Sequence, residues 1–303
     1  MKKILTLCSA ALVSASMAFA QDQALVSSTI LRDPVTSSLA GASSAYSGRM
    51  AWSAFDNAAT SAFYDGHLDA AATYTIWAPA GGRFGFGAGA RLGKKLTLSV
   101  GGVYAGGETY SVYDEYGVSA GAFTTSDMLF GAGLAFKAGE NISIGANLKY
   151  SMEKIAQDET LSGAMADVTA AYHKGSLTAI AGVCSIGTSV KDGSGVSFSS
   201  PASAKAAAWY DLKAAEKHVV GIGAGADVYF NGGISAAAGL QYCFNDMLFV
   251  RAGAHYGTDS APLPTYVGLG LGVKLFGVRL DVSYLTASQT VGGSLCAALG
   301  YSF

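Results

Sequence analysis

From Asp69 to Phe303 apolar residues alternate with small or polar ones, in runs of about 9–13 residues ended by turn residues. A period of two marks a strand whose two faces meet different surroundings. The runs fall near 69–78, 83–92, 95–105, 127–137, 141–153, 163–173, 176–186, 203–213, 217–230, 233–243, 247–257, 265–275, 277–286 and 294–303, about fourteen strands. In the eleventh, Leu248, Val250, Ala252, Ala254 and Tyr256 oppose Phe249, Arg251, Gly253 and His255. In the fifth, Ile142, Ile144, Ala146, Leu148 and Tyr150 oppose Ser143, Asn147, Lys149 and Ser151. Val278, Leu280, Val282 and Tyr284 oppose Arg279, Asp281 and Ser283. A soluble sandwich buries its apolar face, whereas a membrane barrel turns that face outward and keeps the polar one inside.

The connections point the same way. Gly93-Lys94, Gly139-Glu140, Lys174-Gly175, Ala214-Ala215-Glu216, Asn245-Asp246 and Phe276 are tight turns. Longer connections at 106–126, 154–162, 187–202, 258–264 and 287–293 alternate with them, and only those at Pro79-Ala80-Gly81 and Asn231-Gly232 are short. Outer-membrane barrels have short periplasmic turns and longer extracellular loops, which puts both termini on the periplasmic side. The last strand turns Leu295, Leu299, Tyr301 and Phe303 outward and Ser294, Gly300 and Ser302 inward. Tyr301 and Phe303 read as an assembly signal, with Phe303 at the periplasmic edge and pairing with the first strand near Tyr74. The expected fold is all-β, a transmembrane antiparallel barrel of about fourteen strands with a short N-terminal plug or hatch.

Composition excludes the main alternatives. Half of the chain is hydrophobic and only 13% is charged. No stretch of ~20 apolar residues follows the N-terminus, so a spanning helix is excluded and a closed barrel is the remaining way to satisfy the backbone in lipid. Forty glycines suit strands whose inner faces are crowded. A net charge of −2 without a basic patch argues against nucleic acid as a partner.

Residues 1–20 read as a secretory signal peptide, with Lys2 and Lys3, an apolar stretch from Ile4, and Ala18-Phe19-Ala20 as the cleavage site. Residues 21–68 lack sustained alternation and read as turns and irregular structure, a plug or periplasmic segment ahead of the barrel at 69–303. Leu39, Tyr46, Met50, Trp52, Phe55 and Phe63 are too apolar for a disordered leader. Cys184, Cys243 and Cys296 each lie within a strand, which speaks against a disulfide framework.

Candidate chemistry is sparse. His173 and His218 lie at periplasmic turns, His67 closes the N-terminal segment, and only His255 points into the lumen, near Asp259 and Ser260. No nucleophile motif accompanies it, and no H-x-x-x-H or C-x-x-C pattern exists. Gly85-Phe86-Gly87-Ala88-Gly89 lies inside a strand and is no phosphate loop. No catalytic residue, cofactor or metal is therefore assigned. Lys149, Glu153, Asp227, Arg251, Lys274, Arg279 and Asp281 fall on inward parity and, being of both signs, read as lumen ladders or plug contacts. Tyr74, Trp77, Tyr104, Trp209, Tyr210, Tyr229, Phe230, Tyr256, Tyr284, Tyr301 and Phe303 read as interfacial girdles.

Asp33-Pro34-Val35-Thr36-Ser37-Ser38-Leu39-Ala40-Gly41-Ala42 resembles the opening of the PorV/PorQ proteins of Bacteroidetes, relatives of the long-chain fatty-acid transporter barrels. Asp56-Asn57-Ala58-Ala59 resembles a family step in which Ala58 replaces proline. Leu248-Phe249-Val250-Arg251-Ala252-Gly253-Ala254 and Leu280-Asp281-Val282-Ser283-Tyr284 are similar to two of its strand motifs. The resemblance implies a fourteen-stranded barrel with an N-terminal plug, no catalytic residues, and a role in type IX secretion. The implied partners are outer-membrane lipid, the barrel-assembly machinery, and secretion-system proteins and cargo at the extracellular loops, chiefly 106–126 and 187–202. The alternative is a transporter or channel for small or hydrophobic molecules.

Overall fold

The structure is a computed structural model that describes residues 23–77, 81–113, 116–157 and 159–303. The signal peptide read at 1–20 and the Pro79-Ala80 turn lie outside the described residues. Fourteen strands form one closed antiparallel barrel: β1 (Leu68–Ile76), β2 (Gly82–Leu92), β3 (Leu96–Tyr113), β4 (Ser119–Lys137), β5 (Ile142–Ala156), β6 (Glu159–Lys174), β7 (Leu177–Gly187), β10 (Ser203–Ala215), β11 (His218–Tyr229), β12 (Ile234–Phe244), β13 (Leu248–Gly257), β14 (Tyr266–Leu275), β15 (Val278–Thr286) and β16 (Leu295–Ser302). A small hairpin, β8 (Val190–Lys191) and β9 (Ser197–Phe198), sits in the connection after β7. In its turn the Asp192 carboxylate accepts from the Ser194 hydroxyl and from backbone N–H groups, which holds it below the usual carboxylate range.

Each barrel strand pairs with its neighbours in sequence, and β1 pairs with β16 from Asp69↔Ser302 to Ile76↔Leu295. That register corrects one detail of the expected closure. Tyr74 faces Ala297, and Phe303 instead exchanges backbone hydrogen bonds with Leu68 at the short-turn end. Antiparallel pairing requires this, because the last residue of one strand meets the first of the other.

Alternation along each strand separates two surfaces. Leu148, Val250, Leu271, Leu280 and Leu299 are exposed on the outside, while Ser143, Asn147, Thr169, Gln241 and Ser283 are buried inside. A belt this apolar is stable only in a bilayer, and the architecture is that of bacterial outer-membrane proteins. Asn245 and Asp246 both take left-handed backbone (φ 55° and 51°), giving a two-residue turn whose twist matches the strands it joins.

Two expectations change. The stretch read as a loop at 106–126 is largely strand, because β3 and β4 continue to pair above the belt as far as Tyr113↔Ser119. The 154–162 connection is shortened in the same way by β5 and β6. Above the membrane one face no longer needs to be apolar, so alternation fades while pairing persists. Trp209 and Tyr229 are buried in the lumen, not in a girdle. Adjacent residues face opposite sides, so only Tyr210 of the Trp209-Tyr210 pair can meet lipid.

Residues 23–67 lie inside the barrel. Two short helices shape this lumen segment. Asp33 caps Pro34–Ser38, its Oδ1 accepting from the N–H groups of Val35 (2.9 Å) and Thr36 (3.1 Å), with Pro34 at the first helical position. Asn57 caps Ala58–Ser61, accepting from the Ala59 N–H at 3.0 Å. These local bonds explain why a stretch without alternation is nevertheless ordered. The segment enters from His67, whose N–H donates to the Phe303 carbonyl, and reaches the opposite end, where Gln23 and Ala24 lie against Ser199. Its start is therefore at the long-loop, extracellular end, unlike the expected periplasmic placement.

Candidate functional site

The inner wall receives the segment's backbone at positions that lack a side chain. A Cβ at Gly253 would strike the backbone of Leu39, and one at Gly145 would strike that of Ala59. Only glycine lets the backbone of the segment approach the strand so closely.

Polar groups fix it in depth. At the short-turn end Asp69, fully buried, accepts through Oδ2 from the N–H groups of Met50 (2.7 Å) and Ala51 (2.8 Å). Its Oδ1 accepts from Arg279 Nη2 at 2.9 Å. At mid-height Asn147 donates to the Ser53 carbonyl (2.6 Å) and accepts from the Ala58 N–H (3.2 Å). Thr169 donates to Asn57 Oδ1 and Ser143 to the Ala59 carbonyl, both at 2.6 Å. Within the segment, Arg49 pairs with Asp33 and, at 3.2 Å, with Asp56. Nearer the long-loop end Glu153 accepts from the N–H groups of Leu25 (3.2 Å) and Ser27 (2.9 Å).

The residues singled out by parity make the following contacts. Lys149 pairs with Asp167 at 2.9 Å and donates to Ser185 Oγ at 3.1 Å. Asp227 faces Lys205 at 3.5 Å and accepts from Ser203. Arg251 donates through Nε to Gln241 (2.7 Å) and through Nη1 to Asp281 (2.6 Å). That reach crosses β14 over Gly272, where a Cβ would strike both partners. Arg279 meets Asp69, as described, and Lys274 meets Asp246 at an exposed turn (3.0 Å). Glu153 holds the segment. Tyr301 and Phe303 are exposed on the outside at the seam. His255 stacks on Tyr266 with ring centroids 4.9 Å apart, and its Nδ1 lies 3.0 Å from the Pro264 carbonyl. His173 stacks on Phe63 of the segment at 5.0 Å. Cys184, Cys243 and Cys296 are free and buried.

Between the lumen segment and the wall lies a polar chamber of about 100 Å³. Arg32, Lys149 and Lys205 line it together with Asp56, Asp167 and Asp227, so its charges balance. Its walls also include His255 and Tyr266. A hydrocarbon would gain little from this lining, whereas a small polar molecule or water would find partners.

Solved structures carry the same fold. The monoaromatic hydrocarbon channel CymD superposes with a TM-score of 0.63 at 12% identity, over 90% of this chain and 97% of that one. The Ralstonia pickettii toluene transporter TbuX gives 0.59 at 12% identity, over 89% and 97%. A Pseudomonas aeruginosa FadL homologue gives 0.53 at 10% identity, over 89% and 95%. No family model matches the chain, and no curated protein matches it. At these identities the likeness is one of fold, the closed outer-membrane β-barrel.

Several residues of the site escaped the reading of the sequence. Asp69, Asp167 and Lys205 lie on inward strand positions and could have been found by the parity that found Lys149. Arg32, Asp33, Arg49 and Asp56 carry no such mark, because the segment has no period to read.

Proposed function

We propose that this protein is a non-enzymatic outer-membrane conduit for small hydrophobic or amphipathic molecules, with the lumen segment as its gate: displacement of that segment, and not the polar chamber beside it, opens the route. The observation that carries this reading is the combination of a FadL-like barrel with a lumen segment held by hydrogen bonds. The solved structures of that fold include channels and transporters named for monoaromatic hydrocarbons and toluene. A lumen filled by its own chain suits controlled passage better than free diffusion of ions. The test is uptake of labelled toluene by cells with and without the gene, and by cells carrying only this barrel. Faster entry with the barrel is expected, and equal entry would sink the proposal.

A second reading is a PorV/PorQ-like role in protein secretion or surface display. What favours it is the β3–β4 hairpin, which projects above the belt with Tyr110, Tyr116 and Val118 exposed by 52%, 82% and 62%. Such a tip suits a protein contact. Unchanged toluene entry together with loss of proteins from the cell surface on deletion would favour this reading.

A further inference from the structure

Arg32 is 93% buried, since only 7% of it is exposed, and it lines the chamber. Its Nη1 faces Asp56 at 3.7 Å, and its guanidinium lies over the Phe55 ring at 5.2 Å. Among the described residues, Nε and Nη2 meet no acceptor. These two N–H groups form one edge of the guanidinium, the edge that takes a carboxylate with two parallel hydrogen bonds. In the same chamber, Asp167 uses Oδ1 for Lys149 and the Ser185 N–H, and among the described residues its buried Oδ2 meets no donor. The Tyr266 hydroxyl is buried and unpartnered as well.

We propose that the chamber binds a small zwitterion of the amino-acid type, its carboxylate on the Nε–Nη2 edge of Arg32 and its ammonium against Oδ2 of Asp167. Three observations converge on this chemistry. The unpartnered groups are of both kinds, a pair of cationic donors and an anionic acceptor, and buried groups of this kind demand partners. Arg32 and Asp167 line the same chamber without forming an ion pair with each other, so their open groups of opposite charge are left for a third partner. The charged lining sums to zero, so a net anion or cation would leave an uncompensated buried charge, whereas a zwitterion would not. The volume of about 100 Å³ has room for a molecule of glycine or alanine size. The Tyr266 hydroxyl supplies one further hydrogen bond.

The site is tested by calorimetric titration of the purified full-length barrel in detergent micelles with L-alanine, propionate and ethylamine. Saturable binding of alanine is expected, with propionate and ethylamine each weaker by about tenfold or more. Arg32→Gln and Asp167→Asn should each weaken alanine by about tenfold or more, with folding checked by heat-modifiable electrophoretic mobility. Absence of saturable alanine binding would mean that the chamber holds only water, and would overturn the site. Propionate binding as tightly as alanine, or full affinity in Arg32→Gln, would overturn it too. If Asp167→Asn fails to fold, the three ligands on the unaltered protein decide the matter.

Discussion

The two ends of the lumen segment are held very differently. From Pro34 to His67 the chain is capped by Asp33 and Asn57, cross-braced by Arg49, and bonded to the wall through Asp69, Ser143, Asn147 and Thr169. From Gln23 to Arg32 it is held by Glu153, a bridge to Ser199, contacts of Ser27 with Ser151 and of Ser28 with Met165, the Arg32–Asp56 pair and a buried, left-handed Leu25 (φ 60°). No helix cap braces it, however, and among the described residues polar atoms of Gln23 and Arg32 meet no partner. Local opening favours regions with few buried bonds. The difference divides the segment into a braced body and a less braced lead, and the proposed gating would begin at the lead.

The sharpest way to break this contrast is Asp69→Ala. It removes Oδ2, the shared acceptor of the Met50 and Ala51 N–H groups, and leaves Arg279 without its buried partner. A loss of about 3–5 kcal/mol is expected, read as a lower midpoint of denaturant unfolding in micelles. Gly253→Val should come next. Its side chain would drive into Leu39, costing about 1–3 kcal/mol and displacing the body of the segment, so that single-channel conductance should exceed the parent's. Glu153→Ala should act on the lead alone. Amide hydrogen exchange at Leu25 and Ser27 should accelerate, while Met50 and Ala51 stay protected and the unfolding midpoint shifts by about 1 kcal/mol or less. Equal acceleration at both sites would erase the distinction between body and lead. The smallest effect on the folded protein is expected from Phe303→Ala, which keeps the backbone bonds to His67 and Leu68 and removes only the side chain of a residue that is 72% exposed. The variant's amount in the outer membrane should fall, while the midpoint of the protein that does insert barely changes. Normal amounts would refute an assembly role.

The wall was legible because strands in lipid obey a strict two-sided rule. Leu248 to Tyr256 alternate without error, and every predicted run has a strand at its place. Legibility ended where the rule lapses. Thr109, Tyr110 and Ser111 pair above the belt with no lipid to impose alternation, so they read as loop. Parity could put Arg251 and Asp281 inside, but not reveal that they meet across Gly272, since contacts between strands depend on register. The segment was harder still. The Asp33–Arg49–Asp56 cluster joins residues from three turns of irregular chain, and no spacing announces it. Its caps were in plain view, however: Asp33 before Pro34 is the start of a helix, although the stretch reads as a turn when scanned for alternation alone.

Asp69 has a consequence for how this protein is made. Its two oxygens serve partners that arrive by separate routes: Met50 and Ala51 come from nearby in the chain, while Arg279 is 210 residues away and comes close only when β16 zips onto β1. Until then the carboxylate has no counter-charge. Sealing of the cylinder and seating of its contents are therefore linked, each making the other more favourable. A barrel held open at the β1–β16 seam should leave the Met50 and Ala51 amides open to exchange, although both belong to the other end of the sequence from the strand that closes it.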